Sequence, residues 1–235
     1  MEATEAGWAR WLSLVLDGSD VPAMVDFWSE ALELHVHETH DDAVWLQGDQ
    51  AASDVWVLAV PEARTSKNRV HVDLCLDDVQ REWVQSRGGW VVREPGPGTP
   101  WWVLADPDGG ELCAFPPDVD GKRWAAVALD HDGDCEPVAR WWASAFGGQV
   151  VPAPGGALRW VQGIPGVAFE TLSVVPVPEP KQGKNRIHWD VVGRVDDALA
   201  AGAQLIRARD GQIVWDVCAD PWGNEFCVFM PAEAS

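Results

Sequence analysis

The chain contains the same series of short motifs twice. Residues 67–73 read KNRVHVD and residues 184–190 read KNRIHWD, an offset of 117 positions. Residues 105–115 read ADPDGGELCAF and residues 219–229 read ADPWGNEFCVF, an offset of 114 positions. This period is longer than the 20 to 50 residues of a solenoid repeat. The repetition therefore predicts that a whole domain is duplicated.

The repeat also sets the expected domain boundaries. We expect a first domain at residues 8–117 and a second at residues 123–232. Residues 118–122 would form the linker, because this part of the chain is rich in Pro, Asp and Gly.

Within each copy the pattern predicts a strand, a helix and three strands, and then the same series again. Asp20 can cap the first helix, with Pro22 in its first turn. In the second copy a helix should begin at Asp134 or Cys135, and Asp197 should precede another over residues 198–201. Residues 106–109 have the Asp-Pro-Asp-Gly sequence of a type I turn. The predicted class is α+β, with helices on one face of a curved mixed sheet.

Charge excludes two classes of partner. The formal net charge is −20, whereas nucleic-acid and anionic-membrane binding depend on Lys and Arg. No apolar run approaches the roughly 20 residues of a membrane helix. Five cysteines, an odd number with no CxxC pair, argue against a disulfide framework or a zinc knuckle. We therefore expect a cytoplasmic protein with neither nucleic acid nor membrane as a partner, acting as a monomer or homodimer.

The two motif blocks resemble the glyoxalase, bleomycin-resistance and extradiol-dioxygenase superfamily, which has the vicinal-oxygen-chelate fold. The resemblance covers nearly the whole chain, twice. It implies that each domain consists of two βαβββ modules curled into a cup. In the enzymes of this superfamily the cup holds a divalent metal such as Zn, Ni, Mn or Fe, which binds two oxygens of a small-molecule substrate as a Lewis acid.

The resemblance also implies a set of site residues. It maps metal ligands onto His188, Glu225 and Glu170 in the second copy, and onto His71 and Glu111 in the first. Glu225 and Glu111 would also be the catalytic carboxylates. The first-strand ligand position falls on Ser13 and Ala126, where the chain departs from the family pattern. Cys113 and Cys227, each two residues after one of these catalytic glutamates, are interpreted as small core residues.

Tryptophan is the other unusual feature. The chain has sixteen Trp and no Tyr, and each indole combines a large apolar surface with one N–H donor. Most should fill the core, and some should line a ligand cavity. The candidate substrate-binding residues are Trp102, Trp189, Trp215, Arg69 and Arg186.

These features leave more than one function open. The first is a glyoxalase-like or bleomycin-resistance-like protein that binds a small molecule in the cup, with a degenerate metal site. The alternative is a metal-dependent lyase, isomerase or dioxygenase with its active site in the second domain. A third is a scaffold whose cup is filled. The sequence leaves undecided whether the chain is an enzyme.

Overall fold

A computed structural model describes residues 7–49, 53–117 and 122–232, and for residues 78–81 the backbone alone. The chain forms four βαβββ modules in succession. Module 1 comprises β1 (Ala9–Gly18), α1 (Val21–Leu32), β2 (His35–Thr39), β3 (Ala43–Gln47) and β4 (Val55–Ala59). Module 2 comprises β5 (Val70–Cys75), α2 (Asp78–Ser86), β6 (Trp90–Arg93), β7 (Trp102–Ala105) and β8 (Glu111–Phe115).

The second repeat contains the other two modules. Module 3 comprises β9 (Trp124–His131), α3 (Cys135–Phe146), β10 (Gln149–Pro152), β11 (Arg159–Gln162) and β12 (Thr171–Pro176). Module 4 comprises β13 (Ile187–Gly193), α4 (Val195–Ala200), β14 (Gln204–Arg207), β15 (Trp215–Ala219) and β16 (Glu225–Phe229). This is the α+β class with curved mixed sheets that the sequence predicts. None of the helices in the described part of the chain is long and apolar enough to cross a membrane.

Local sequence signals place most helix starts correctly. The Asp20 carboxylate accepts a hydrogen bond from the Ala23 amide at 3.1 Å, and Asp134 accepts one from the Glu136 amide at 3.0 Å. The last helix differs from expectation, because it begins at Val195 and Asp197 lies in its first turn. There the carboxylate is close to the unpaired amides of the helix N-terminus, which also favours an acidic residue.

The modules pair in an order that the repeat alone does not indicate. Sheet A has the strand order β14-β15-β16-β13-β1-β4-β3-β2, and sheet B has the order β10-β11-β12-β9-β5-β8-β7-β6. Modules 1 and 4 therefore build sheet A, and modules 2 and 3 build sheet B. The expectation that each half of the chain closes into its own cup is corrected here. The domain boundaries 8–117 and 123–232 remain a prediction about the sequence repeat, and most of the linker, residues 118–121, lies outside the described residues.

Antiparallel pairing of β5 with β9 and of β1 with β13 produces this exchange. The connection from β8 to β9 is short, so β9 joins the sheet that contains β8. The first module is then left with the last one as its partner. Its β1 pairs with β13 over most of its length, with Ser13 opposite Asp190.

The helices lie between the two sheets. Trp142 on α3 contacts Trp189 and Phe226 of sheet A with ring centroids 4.7 and 5.2 Å apart, although α3 belongs to a module of sheet B. Strand alternation gives each sheet one apolar face against these helices, exemplified by the buried Val70, Val72 and Leu74 of β5. We call the opposite face of each sheet its open face.

Candidate functional site

Each open face carries one cluster of His, Asp and Cys. The sheet B cluster consists of His71, Asp73 and Cys113, and the sheet A cluster consists of His188, Asp190 and Cys227. In each cluster one ligand atom from every residue lies within 4.8 Å of the others. The internal repeat relates the two clusters to each other. They are the two clusters of this kind in the described part of the chain.

Strand geometry explains why these residue types meet. His and Asp are two positions apart on a central strand, so they point to the same face. The next strand runs parallel and places Cys113 beside Asp73, and Cys227 beside Asp190. The spacing His-x-Asp on one strand and the register of its neighbour are sufficient to assemble each cluster.

In sheet B the imidazole is held between two carboxylates. His71 Nδ1 lies 2.9 Å from Asp73 Oδ1, and its Nε2 lies 3.5 Å from Asp130 Oδ1. Burial by itself disfavours the charged ring, but the two carboxylates outweigh it and raise the pKa of His71 well above its ordinary value. Lys67 forms a further ion pair with Asp130. The sheet B cluster is therefore a buried imidazolium with its counter-charges.

In sheet A the same residue types have the opposite protonation pattern. Burial lowers the pKa of His188 to about 4 and raises the pKa of Asp190 to about 7. His188 Nε2 lies 3.7 Å from Cys227 Sγ, and its Nδ1 is buried without a hydrogen-bond partner among the described residues. The sheet A cluster therefore presents a neutral imidazole with one unused nitrogen.

The two sheets also differ at one residue of their central first strands. The Ser13 hydroxyl donates to Asp190 Oδ2 at 3.0 Å. In sheet B the residue opposite Asp73 is Ala126, which has no donor. With no hydroxyl to bind, the Asp73 carboxylate is close to His71 instead. At this position, where the chain departs from the family pattern, only sheet A offers the clustered aspartate a hydroxyl donor.

The predicted glutamates share the open face with the histidines but not the clusters. Glu111 pairs with Arg64, and Glu225 pairs with Lys181 at 3.2 Å. The Glu225 carboxylate also accepts the Asn185 amide at 3.2 Å. Each glutamate lies two residues before the clustered cysteine and points the same way. The structure brings each histidine together with the cysteine. The carboxylates of Glu111 and Glu225 lie beside the two clusters.

Glu170 is not part of the site predicted for it. It lies just before β12 in sheet B, is exposed, and is 3.6 Å from Lys122. His188 and Glu225 belong to sheet A. The expected set of Glu170, His188 and Glu225 is corrected, because exchange of modules puts the first of these in the other sheet.

The candidate substrate-binding tryptophans have three different locations. Trp189 is buried on the helix side of sheet A, stacked 5.7 Å from Trp11, so it is a core residue. Trp102 pairs with the helix-side residue Ala114 and lines a small cavity of about 270 Å³ with four prolines. Trp215 lies on the open face of sheet A and stacks on Phe229 with centroids 5.3 Å apart. Of the three tryptophans, only Trp215 therefore lies on the same face of sheet A as its His-Asp-Cys cluster.

The two candidate arginines connect the modules. Arg186 donates to the Glu62 carbonyl and pairs with Asp108, both at 2.6 Å. Arg69 is buried and donates to the Glu179 carbonyl at 2.7 Å. These contacts join loops of different modules. They explain the KNR motif as a structural element at the rim of each sheet.

Cys113 and Cys227, which the sequence predicts to be small core residues, also belong to the two clusters. Cys113 and Cys227 lie two positions after the glutamates and therefore on the same, open face of the sheet. This alternation is the sequence signal that links the two cysteines to the sites. Burial raises the pKa of Cys113 to about 11 and raises that of Cys227 as well. All five cysteines are free thiols. In the absence of a cation these two are protonated.

The donor set of the sheet A cluster fits a divalent metal. Imidazole, thiolate and carboxylate are the ligands that Zn²⁺ takes, and three protein ligands with one open position are typical of a catalytic site. Mg²⁺ and Ca²⁺ prefer oxygen ligands, so a metal with affinity for nitrogen and sulfur fits better. The imidazole of His188 presents its Nε2 to the cluster, 3.7 Å from the Cys227 sulfur. The thiol would have to lose its proton on binding.

Comparison with solved structures shows the fold. Glyoxalase I from Zea mays is 16% identical, with a TM-score of 0.64 over 94% of this chain and 92% of that one. A putative dioxygenase from Bacillus subtilis is 10% identical, with a TM-score of 0.65 over 96% of this chain and 86% of that one. The cppA protein from Streptococcus pneumoniae is 10% identical, with a TM-score of 0.52 over 95% of this chain and all of that one.

Sequence comparison identifies the family. A search of curated proteins found no match. The family model described as a Glyoxalase-like domain matches residues 13–115 and again residues 126–229. The two matches coincide with the two copies of the repeat and together include both His-Asp-Cys clusters. The chain therefore belongs to the Glyoxalase-like domain family, with two copies of the domain in tandem.

Proposed function

We propose that the protein binds a small molecule on the open face of sheet A, over a divalent metal held by His188, Asp190 and Cys227. The observation that carries this proposal is the cluster itself: three donors of a zinc-type set, from two adjacent strands, within 4.8 Å of one another. When bound, such a metal acts as a Lewis acid on ligand oxygens. In this proposal the sheet B cluster is the degenerate copy, because Asp73 and Asp130 already lie within ion-pair distance of His71.

Residues around the sheet A cluster have defined parts in this proposal. Ser13 orients Asp190 through its hydroxyl. Lys181 and the Asn185 amide hold Glu225 at the edge of the cluster. Trp215 and Phe229 supply an apolar wall on the same face. A ligand on this face would meet the cationic Lys181, the acidic Glu225 and the aromatic surface of Trp215 and Phe229.

Cobalt titration of the metal-free protein tests the proposal. Co²⁺ is a coloured substitute for Zn²⁺, and a thiolate ligand gives it a strong charge-transfer absorption. One equivalent should bind with that absorption, and Cys227→Ser should abolish it. The matched variant Cys113→Ser should keep it, because that thiol belongs to the other cluster. Absence of stoichiometric binding, or equal loss in both variants, would refute the assignment.

A second candidate function is catalysis by the same site, as a metal-dependent lyase, isomerase or dioxygenase. The specific observation in its favour is Glu225, a carboxylate on the same face as Cys227 and only partly exposed. In this proposal Glu225 accepts a proton from a ligand bound over the cluster, and Glu111 is the equivalent residue of sheet B. Turnover of thiol adducts of 2-oxoaldehydes and of catechols by the metal-loaded protein tests this function. Activity that survives Glu225→Gln would exclude Glu225 as the base.

A further inference from the structure

A cavity in module 2 lies outside the two open faces. Its volume is about 270 Å³, and it is at the end of sheet B where the parallel strands β5 and β8 both finish. Leu76 and Pro116 follow these strands, and Trp102 is on the adjacent β7. Strand alternation puts all three on the helix side of the sheet. We call this space the proline cavity, because four prolines line it.

The walls of the proline cavity are rigid and apolar. Pro95 and Pro100 belong to the connection between β6 and β7, and Pro116 and Pro117 follow β8. A proline ring fixes its own backbone φ and carries no N–H. Little conformational freedom is therefore lost from these walls when a ligand enters. Since the prolines offer no N–H donor, they make a poor site for an anion.

Two side chains of the proline cavity favour positive charge. Trp102 is half-buried and lines the cavity, and an indole is the best aromatic partner for a cation. Asp77 is exposed and lines the same cavity. The segments that contribute the lining, residues 76–77, 94–102 and 116–117, contain two acidic residues and neither Lys nor Arg. The electrostatic surroundings of the cavity are therefore anionic.

The second copy of the repeat has a cation at the equivalent place. By the strand register, Asp216 occupies the position of Trp102 and Arg209 the position of Pro95. Arg209 Nε lies 3.7 Å from Asp216 Oδ2, and the Arg209 amide donates to Asp216 Oδ1 at 2.9 Å. In module 4 the chain therefore supplies its own guanidinium here. In module 2 a proline and an indole leave a cavity instead.

The charge of a neighbouring position is reversed between the two copies. Arg194 in module 4 corresponds to Asp77 in module 2, by the offset of 117 positions that relates the KNR motifs. Module 2 thus has a carboxylate where module 4 has a second guanidinium. The cation that belongs to the chain in module 4 is left for a ligand to supply in module 2.

We propose that the proline cavity binds a small methylated ammonium compound, with its cationic group against Trp102 and near Asp77. A fully methylated nitrogen has no N–H to satisfy, and its methyl groups can contact the proline rings. Its positive charge is attracted by the indole quadrupole and by the acidic lining. Ligand pockets usually have volumes of about 300 to 1,000 Å³, so this cavity suits a ligand of few heavy atoms. The site is in sheet B and does not depend on the metal proposed for sheet A.

Titration of the full-length protein with choline tests the proposal, followed by nuclear magnetic resonance of the indole N–H groups. The matched probe is the uncharged carbon isostere of choline, in which a tert-butyl group replaces the trimethylammonium group. Choline should shift the Trp102 signal to saturation, and the isostere should bind about tenfold more weakly or less. Trp102→Leu identifies that signal and should weaken choline binding about tenfold in calorimetry. Trp90→Leu, at an exposed indole of the same module, should leave binding unchanged.

Two substitutions at exposed positions keep the test intact if Trp102→Leu does not fold. Pro95→Arg installs the residue of module 4 and should abolish choline binding, because its guanidinium would fill the cavity. Asp77→Asn keeps the shape of the side chain but removes its charge. It should weaken choline binding by a factor of about two to five, and high salt should reduce this difference.

Three results would overturn the proposal. Equal binding of the isostere would show that the cavity does not select a cation. Binding to Pro95→Arg as strong as to the wild type would place choline elsewhere, and so would the absence of any choline-dependent shift of the Trp102 signal. Cys227→Ser should bind choline like the wild type, so loss of the sheet A metal site leaves this test unaffected.

Discussion

Trp28 donates its indole hydrogen to the buried carboxylate of Asp106 across 3.2 Å, which ties α1 of module 1 to the β7–β8 turn of module 2. In the second copy of the repeat, Trp142 donates the equivalent hydrogen bond to Asp220, also at 3.2 Å. Asp106 additionally accepts the amides of Asp108 and Gly110 at 3.0 and 2.7 Å. The Asp-Pro-x-Gly turn is therefore the structural element that the sequence indicates, and it fixes one module against the next.

The stability of the protein should depend on the charge of Asp106. Burial raises its pKa to about 6, from an ordinary value near 4. The folded state therefore binds this proton more tightly than the unfolded state, and the associated stability is lost as the pH rises through about 6. Asp106→Asn lacks this titration. Its unfolding free energy relative to the wild type should rise by about 2 kcal/mol between pH 4 and pH 7, as measured by urea denaturation at each pH. A difference that is constant with pH would contradict the assignment.

Removal of the indole donor should destabilise the junction of modules 1 and 2. Trp28→Phe keeps most of the apolar surface but leaves a buried acceptor without its donor. We expect a loss of about 1 to 3 kcal/mol in unfolding free energy at pH 7. Trp101→Phe, at a half-buried position whose ring contacts Phe115, serves as the control and should change stability less. Equal losses would show that ring size is the cause.

Exchange of the first-strand residues should exchange the properties of the two histidines. Ser13→Ala removes the hydroxyl that holds Asp190, so the carboxylate can approach His188 and raise its pKa. Ala126→Ser offers Asp73 a donor, which should lower the pKa of His71. Nuclear magnetic resonance titration of the imidazole carbons, in metal-free protein, measures both. Unchanged histidine titrations in both variants would mean that other residues set the difference.

Metal binding should stabilise the fold through one cluster. At a free Zn²⁺ concentration one hundred times the dissociation constant, the wild type should gain about 2.7 kcal/mol. Cys113→Ser should gain as much, and Cys227→Ser should gain much less. Thermal unfolding with and without a chelator measures the gain. A gain in Cys227→Ser equal to that of the wild type would place the metal elsewhere.

The sequence predicts local structure better than the way the modules combine. Asp20 and Asp134 cap helices because capping depends on a carboxylate and the next few amides. Alternation on β5 places His71 and Asp73 on one face for an equally local reason. The partner of β1 is β13, and nothing near β1 specifies a strand so distant. For that reason Glu170 was grouped with His188, and only the sheet pairing separates them.

Trp189 differs from its predicted place for another reason. An indole can serve equally in a core or in a binding site. The neighbours that make Trp189 a core residue, Trp11 and Trp142, come from the distant elements β1 and α3. Cys227 is buried, as the sequence predicts, and only the sheet register shows that it lies beside Asp190. Residue type identifies a candidate, but contacts between distant strands decide its function.

Exchange of modules has a consequence for how the protein is made. Sheet B unites modules 2 and 3, which are adjacent in the chain, so it can form while the ribosome is still at work. Sheet A must wait for module 4, since Ser13 and Asp190 are 177 positions apart. Until then β1 is an edge strand without its β13 partner. The His-Asp-Cys cluster of sheet A, which spans β13 and β16, is therefore completed only after module 4 is made.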